Sequence, residues 1–280
     1  MVAAILTDTS PAGLRAAIEA DIVATRLTNA DVPIEAHRDP DAAWGIARDP
    51  EALRSVVVSV AFTTDTAGRR IGEILADIDA ARTATVWWHA PHHRPDDLPG
   101  RLERSGFEAV ADTAAMALDL VALPATFELP AGLVIEPVRN EADARDFVTV
   151  IMTERPEGAP PSQSGAAGLR IRHITSRLAL DRAPMRFVGR ADGVAAATSR
   201  LSVVGGAAGL YGVVTRPDAR GRGYGRAMTL AALDAGRRLG LQVATLQATD
   251  MGLPIYRRLG FEEMFRYTLL VRSAQGDDGP

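Results

Sequence analysis

The sequence predicts an α/β chain made of two related halves. The first observation behind this is an order of elements that occurs twice. Residues 53–121 read as strand, helix, strand, short helix, Gly-Phe and strand, and the residues after 205 read in the same order. The second is a local match at the end of each series, where Arg104-Ser105-Gly106-Phe107-Glu108 stands beside Arg258-Leu259-Gly260-Phe261-Glu262. The third is the stretch Leu123 to Leu133, which holds Pro124 and Pro130, shows little periodicity and reads as a linker.

The elements of the first half follow from pattern. Ser10 to Asn29 reads as an amphipathic helix: Ser10 suits its cap, Pro11 its first position, and Leu14, Ile18, Ile22 and Leu27 fall near helical spacing. Val32 to Ala36 and Ala43 to Ala47 are candidate strands, and Leu53 to Thr63 is a β-branched run. Gly68 to Ala81 sets Ile71, Ile74, Leu75 and Ile78 on one helical face. Thr83 to His89 reads as a strand, Asp97 to Ser105 as a short helix, and Ala109 to Val121 as a final strand or pair.

In the second half, Glu154 to Gly168 is the least patterned stretch and precedes a helix-like run, Leu169 to Leu180. Arg190-Ala191-Asp192-Gly193 reads as a hairpin turn. Ala227 to Leu239 is helix-like, Gln242 to Thr249 alternates as a strand does, and Phe265 to Val271 reads as the last strand. Between Gln242–Thr249 and that last strand, Pro254 suits the first turn of a short helix and Gly260 its C-terminal cap.

The chemistry concentrates in Val213-Val214-Thr215-Arg216-Pro217-Asp218-Ala219-Arg220-Gly221-Arg222-Gly223-Tyr224-Gly225-Arg226. An apolar run stops at a Pro/Asp turn, three glycines alternate with other residues, and a helix follows. Glycines allow close approach of the backbone to a ligand. A helix N-terminus offers unpaired N–H groups and partial positive charge. Arg220, Arg222 and Arg226 add charges suited to bidentate phosphate contacts. The bland reading is an ordinary glycine-rich strand–helix connection. A Walker loop is excluded, because it needs a lysine and all 31 basic residues are arginine. The dinucleotide fingerprint fails too, since the two possible registers put Arg226 or Met228 where Gly or Ala is required.

The pattern that fits is Arg-x-x-Gly-x-Gly at Arg220, Gly223 and Gly225. It resembles the acetyl-CoA loop of the GNAT N-acetyltransferase family. The downstream strand, short helix with Tyr256, Gly260-Phe261 and strand resembles that family's second block. The resemblance covers roughly residues 132–273. It implies two tandem GNAT-like domains, 1–125 and 132–275, each a mixed, mostly antiparallel central sheet flanked by helices. It implies acetyl-CoA as cosubstrate, with the N–H groups of Gly221 to Arg226 on the pyrophosphate and the backbone of Val213, Val214 and Thr215 along the pantetheine arm. A backbone N–H near Val214 would polarise the thioester carbonyl. Tyr256 is the candidate acid for the departing thiolate, because a phenol, with a pKa of about 10, is protonated at neutral pH. The alternative for Tyr256 is a ring packed on the sheet.

No general base stands out. Asp192 is the one carboxylate in the strands from Met185 to Thr215, and it falls in the hairpin turn. Glu154, Glu157 and His173 lie on the presumed acceptor side, where each reads first as a surface residue. By the resemblance, Glu154 to Gly168 is a candidate acceptor lid, with an insertion as the alternative.

A gap-free comparison of the halves, anchored on Gly106 and Gly260, sets Arg69 against Gly223, Ile71 against Gly225, Thr66 against Arg220 and Leu102 against Tyr256. The first half is therefore expected to be a degenerate GNAT-like domain, either a scaffold or a wall of the acceptor pocket. The run Trp87-Trp88-His89-Ala90-Pro91-His92-His93 holds three histidines with no nearby carboxylate, so it reads as a solvated loop after a strand rather than a metal site. If that strand forms, Trp87 and Trp88 point to opposite faces and one belongs to the core.

Composition bounds the rest. With 280 residues, 47% apolar and 24% charged, the chain has room for two domains with a sizeable core. The net charge of −4 leaves no basic footprint for nucleic acid, and it slightly favours a cationic acceptor. The absence of cysteine excludes disulfides, thiolate zinc sites and a cysteine acyl-enzyme. No signal peptide or membrane-length apolar run is evident, so a cytoplasmic protein with no membrane partner is expected. The expected activity is acetyl transfer to an amine acceptor, first of all a small molecule. The alternatives are a protein N-acetyltransferase and a catalytically silent acyl-CoA-binding sensor or interaction protein. Acceptor identity, acyl-chain preference and oligomeric state are not encoded in any local pattern.

Overall fold

The computed structural model describes residues 5–28, 30–48, 54–124, 126–153, 164–179 and 184–274. The chain divides into two compact units: residues 1–21 with 116–264, and residues 22–115 with 265–280. In chain order the elements are α1 (Pro11–Leu27), β1 (Glu35–Asp39), β2 (Ala42–Ile46), β3 (Ser55–Val60), α2 (Ala67–Ala80), β4 (Thr85–His89), α3 (Leu98–Arg104), β5 (Glu108–Asp119), β6 (Leu133–Pro137), α4 (Glu141–Ile151) and α5 (Ser164–Arg177). They continue with β7 (Met185–Ala191), β8 (Val194–Val204), β9 (Ala207–Thr215), α6 (Tyr224–Arg238), β10 (Val243–Ala248), α7 (Leu253–Arg258) and β11 (Glu262–Arg272).

In the unit of residues 22–115 and 265–280 the strand order is β1-β2-β3-β4-β11. β1–β2, β2–β3 and β4–β11 are antiparallel, while β3 and β4 are parallel, as the helix α2 between them requires. The apolar face of α2 buries Ile71, Ile74, Leu75 and Ile78 against Trp44, Val57, Trp87 and Phe107. Each such side chain contributes about 1.5–3 kcal/mol of burial. Trp87 and Trp88 are both core residues, not one of the two. Trp87 meets Phe107 edge to face at 5.7 Å, and Trp88 meets Tyr267 at 5.6 Å with the Arg26 guanidinium 4.4 Å above it. His93 is likewise buried rather than solvated, and its Nδ1 accepts from the Ala90 N–H at 3.2 Å.

In the other unit the order is β5-β10-β9-β8-β7-β6. All pairs from β6 to β9 are antiparallel, and β9–β10 is parallel across α6. Asp192 (φ 50°) and Gly193 (φ 82°) form the two-residue turn between β7 and β8. Two adjacent left-handed residues are what a type I′ hairpin needs. α6 buries Ala227, Met228, Leu230, Ala232 and Leu233. Gly236 brings it close to the sheet, since a Cβ there would lie 3.0 Å from that of Ala208. α4 packs Ala144, Phe147 and Val148 with Ile174 of α5.

The element order β3-α2-β4-α3-β5 recurs as β9-α6-β10-α7-β11. Gly106 (φ 85°) and Gly260 (φ 94°) close the equivalent short helices in the same left-handed conformation. Strand ends shift by a few residues from the sequence reading: β1 starts at Glu35 and β11 at Glu262. Of the candidate acceptor lid, Glu154 to Gly168, only the end is described. Ser164 to Gly168 form the first turn of α5, and residues 154–163, with Glu154 and Glu157, lie outside the described residues.

Candidate active site

The site is built at the ends of β9 and β10. Their parallel ladder pairs Ala208, Gly209 and Leu210 with Ala244, Thr245 and Leu246. β9 then continues to Thr215 and β10 to Ala248, with no further pair between them among the described residues. On its other edge β9 stays bound to β8, but the register slips between Thr198↔Val214 and Arg200↔Tyr211. Gly212 and Val213 thus oppose Ser199 alone, which is a β-bulge. Gly212 adopts φ 56°, a conformation glycine permits. Its carbonyl accepts from the Thr198 hydroxyl at 2.9 Å. The backbone of Val213 to Thr215 therefore runs along an edge that no strand of this unit occupies, with Val214 buried and Val213 and Thr215 half-buried.

After β9, Pro217 to Ala219 make one tight turn and the glycine loop follows. Gly221 (φ 78°) and Gly223 (φ 80°) are left-handed, and Gly223 is the N-cap of α6. No side chain caps this helix. The first intrahelical bond at this end is Ala227 N–H to the Gly223 carbonyl, at 3.1 Å. The N–H groups of Tyr224, Gly225 and Arg226 lie in the first turn, where the helix itself supplies no acceptor. Gly225 sits against the next element: a Cβ there would lie 3.6 Å from Thr215 Oγ1 and 3.7 Å from Ile255 Cδ1. Its carbonyl accepts from the Thr229 hydroxyl at 2.9 Å.

The arginines divide by role. Arg216 is committed to Asp218 at 2.7 Å and to the Ala195 carbonyl. Arg220 folds back, its Nε donating to the Thr215 carbonyl at 3.2 Å. Arg222 and Arg226 are exposed and make no ion pair among the described residues. Tyr224 is a core side chain at 5% exposure, so only its backbone N–H faces the loop's task. This set suits a diphosphate: consecutive N–H donors, two free guanidinium groups and no carboxylate except the one held by Arg216.

Tyr256 lies on α7, half-buried, with its ring edge-on to Phe261 at 5.8 Å. Gly252 makes room for it, since a Cβ there would fall 2.9 Å from Tyr256 Cε2. Ile255, its neighbour in the same helix, is the residue that faces Gly225. The glycine loop and the helix of Tyr256 are thus adjacent. His173 falls on α5 and Asp192 in its turn, where the hairpin accounts for it.

The equivalent place in the other unit is closed. Thr63 and Thr66 bond each other through hydroxyls and backbone ahead of α2. Arg69 pairs with Glu73, and Arg70 is held by Asp39, Asp41 and Glu73. Its arginines are neutralised where Arg222 and Arg226 are free.

Sequence reading missed Gly212 here, although a glycine inside a β-run is a legible bulge signal.

The parallel step between β9 and β10, in a unit whose β6 to β9 are antiparallel, with a bulge in β9 and a glycine loop after it, is a fold of the GNAT type. In agreement, residues 149–261 match the acetyltransferase (GNAT) family model, so this stretch of the chain is a GNAT domain. No curated protein matches the chain in sequence. Among solved structures, the chain is similar to a GCN5-related N-acetyltransferase from Kribbella flavida, with TM-score 0.64 and 20% identity over 91% of this chain and 95% of that one. It is similar to a functionally unknown conserved protein from Staphylococcus epidermidis, with TM-score 0.63 and 14% identity over 89% and 99%. It is also similar to a tandem GNAT protein from the clavulanic acid biosynthesis pathway, with TM-score 0.60 and 16% identity over 99% of both chains. These likenesses show the fold. Among the described residues, no helix is long and apolar enough to cross a membrane.

Proposed function

We propose that residues 132–275 form an acetyl-CoA-dependent N-acyltransferase domain acting on a small-molecule amine, and that residues 1–125 form a degenerate GNAT-like domain without cofactor. The observation that carries this is the parting of β9 and β10 after Leu210 and Leu246, with two left-handed glycines and an uncapped helix N-terminus following β9. Acetyl-CoA supplies an activated acetyl thioester. Val213 to Thr215 align its pantetheine arm by backbone hydrogen bonds. The N–H groups of Gly221 to Arg226, with Arg220, Arg222 and Arg226 around them, take the pyrophosphate. The bulge turns a backbone N–H near Val214 toward the thioester carbonyl, and Tyr256 donates the proton that the departing thiolate needs. The closed, neutralised α2 start supports a single cofactor site.

Calorimetric titration with acetyl-CoA tests this. One site per chain is expected, lost in Gly223→Arg, which copies the first half. Two sites would overturn the degenerate reading of residues 1–125. Binding retained in Gly223→Arg would overturn the loop assignment.

A further inference from the structure

Asp21 is the one carboxylate with no solvent exposure at all among the described residues, and the transferase reading leaves it without a role. It reaches the sheet from α1. Its Oδ2 accepts from the Tyr211 hydroxyl at 2.7 Å and from the Thr245 hydroxyl at 2.8 Å. Space for it exists because Gly209 has no side chain: a Cβ there would lie 2.2 Å from Asp21 Oδ1. The two hydroxyl donors flank the parting of the strands, Thr245 being in the last paired steps of β10 and Tyr211 the first residue of β9 beyond them. Tyr211 itself is half-buried and precedes the Gly212 bulge. The Arg200 guanidinium of β8 lies 5.2 Å from its ring centroid, and Phe147 and Ile151 of α4 approach the bulge as apolar neighbours.

A second observation points to a polar ligand at this spot. Gln247 is the first residue of β10 beyond the ladder, as Tyr211 is on β9. Its side-chain Oε1 and Nε2 are both buried and meet no hydrogen-bond partner among the described residues. Leaving such a group unsatisfied costs about 1–3 kcal/mol, so an amide in this position takes a partner, either ordered water or a polar group of a ligand.

We propose that Tyr211 is the residue that deprotonates the acceptor ammonium, with Asp21 behind it as the store for the proton. This rests on the transferase reading above. The ammonium passes one proton to Tyr211 Oη while the Tyr211 hydroxyl proton moves to Asp21 Oδ2, leaving a neutral amine, a neutral phenol and a protonated carboxyl. The amine nitrogen then bonds to the acetyl carbon as the carbon–sulfur bond breaks. The thiolate takes the Tyr256 proton. The nitrogen's second surplus proton goes to solvent, which reprotonates Tyr256, and Asp21 releases its proton through Tyr211 to solvent, the one proton that the reaction sets free. The buried Gln247 amide binds a polar group of the same acceptor.

The test uses the full chain with acetyl-CoA and two kinds of acceptor. One kind is a panel of alkyl amines that are ammonium ions near neutral pH: a diamine, an amino acid amide, an aminoglycoside and a short peptide. The other is hydroxylamine, which is already neutral there. Asp21→Asn keeps the shape and can still accept both hydroxyls, and Tyr211→Phe removes the relay itself. Each variant is expected to lower kcat for the best ammonium acceptor by about 100-fold or more while changing the hydroxylamine rate only a few-fold, with acetyl-CoA affinity unchanged. The acid side of the kcat/KM profile for the ammonium acceptor is expected to flatten. Equal losses with both acceptors, or no loss with either, overturn the relay. If Asp21→Asn does not fold, Tyr211→Phe decides by the same ratio. A wild-type protein that binds acetyl-CoA and acetylates no member of the panel overturns the transferase reading itself, and the relay with it.

Discussion

The Thr198 hydroxyl donates to the Gly212 carbonyl at 2.9 Å, and this bond ties β8 to the bulge that β9 forms just beyond its last pair with β10. Thr198 is fully buried, so no water replaces the donor when it is removed. Thr198→Val keeps the volume and deletes the bond. It is expected to cost about 1–2 kcal/mol of stability. The same variant should weaken acetyl-CoA several-fold, because the Val213–Thr215 edge loses its fixed orientation. Denaturant midpoints and calorimetric affinity measured together check this, and an unchanged affinity would detach the bulge from cofactor binding.

Gly223 lies at φ 80° as the cap of α6. Gly223→Ala adds a methyl group with only ordinary contacts, the nearest atom being Pro130 Cγ at 3.6 Å from the new Cβ. The penalty is therefore conformational, about 1–2 kcal/mol. Affinity for acetyl-CoA should fall roughly tenfold for Gly223→Ala, whereas Gly225→Ala, at negative φ with contacts of 3.6 and 3.7 Å, should be milder in stability. Equal stability losses in the two variants would contradict this ordering.

Tyr256 touches the loop through its helix neighbour Ile255, and its ring packs on Phe261. Tyr256→Phe preserves that packing and removes the proton donor. A turnover loss of about 100-fold or more is expected with acetyl-CoA affinity nearly unchanged. If affinity falls as far as turnover, Tyr256 is a binding residue and not the acid.

Gly209 and Asp21 compete for one space, since a Cβ on Gly209 would lie within 2.5 Å of three atoms of the Asp21 carboxylate. Gly209→Ala alone should destabilise by about 2–4 kcal/mol. In an Asp21→Ala background the same change should cost clearly less, a coupling of about 1 kcal/mol or more. A double-mutant cycle by chemical denaturation measures it, and strict additivity would remove the contact.

His89 in β4 is held at a pKa of about 4, first by burial and then by the neighbouring His93 and His92. Its folded value lies below the unfolded one of about 6.5, so the unfolded chain binds more protons between the two. Stability is therefore fully present above about pH 6.5 and falls as pH drops toward 4, by about 1–2 kcal/mol after allowance for partial exposure. His89→Gln should reduce this slope, as stability curves at several pH values will show.

The sequence by itself determined the order of elements, the two-fold repeat, the hairpin at Asp192-Gly193 and the glycine loop from Gly221 to Gly225. These are set by neighbours within one turn or one strand: periodicity, capping and left-handed glycines act over a few residues. It also marked Tyr256 through the Gly-Phe that follows it. The tertiary structure alone decided which pairs meet across the chain. Tyr211 and Asp21 stand 190 residues apart in sequence, and Thr245 and Asp21 stand 224 apart, yet all three share one buried contact. The burial of both Trp87 and Trp88, the release of Arg222 and Arg226, and the committed state of Arg216 and Arg70 belong to the same class. Burial and pairing depend on what another element brings to a face, and no local pattern in this chain specifies that.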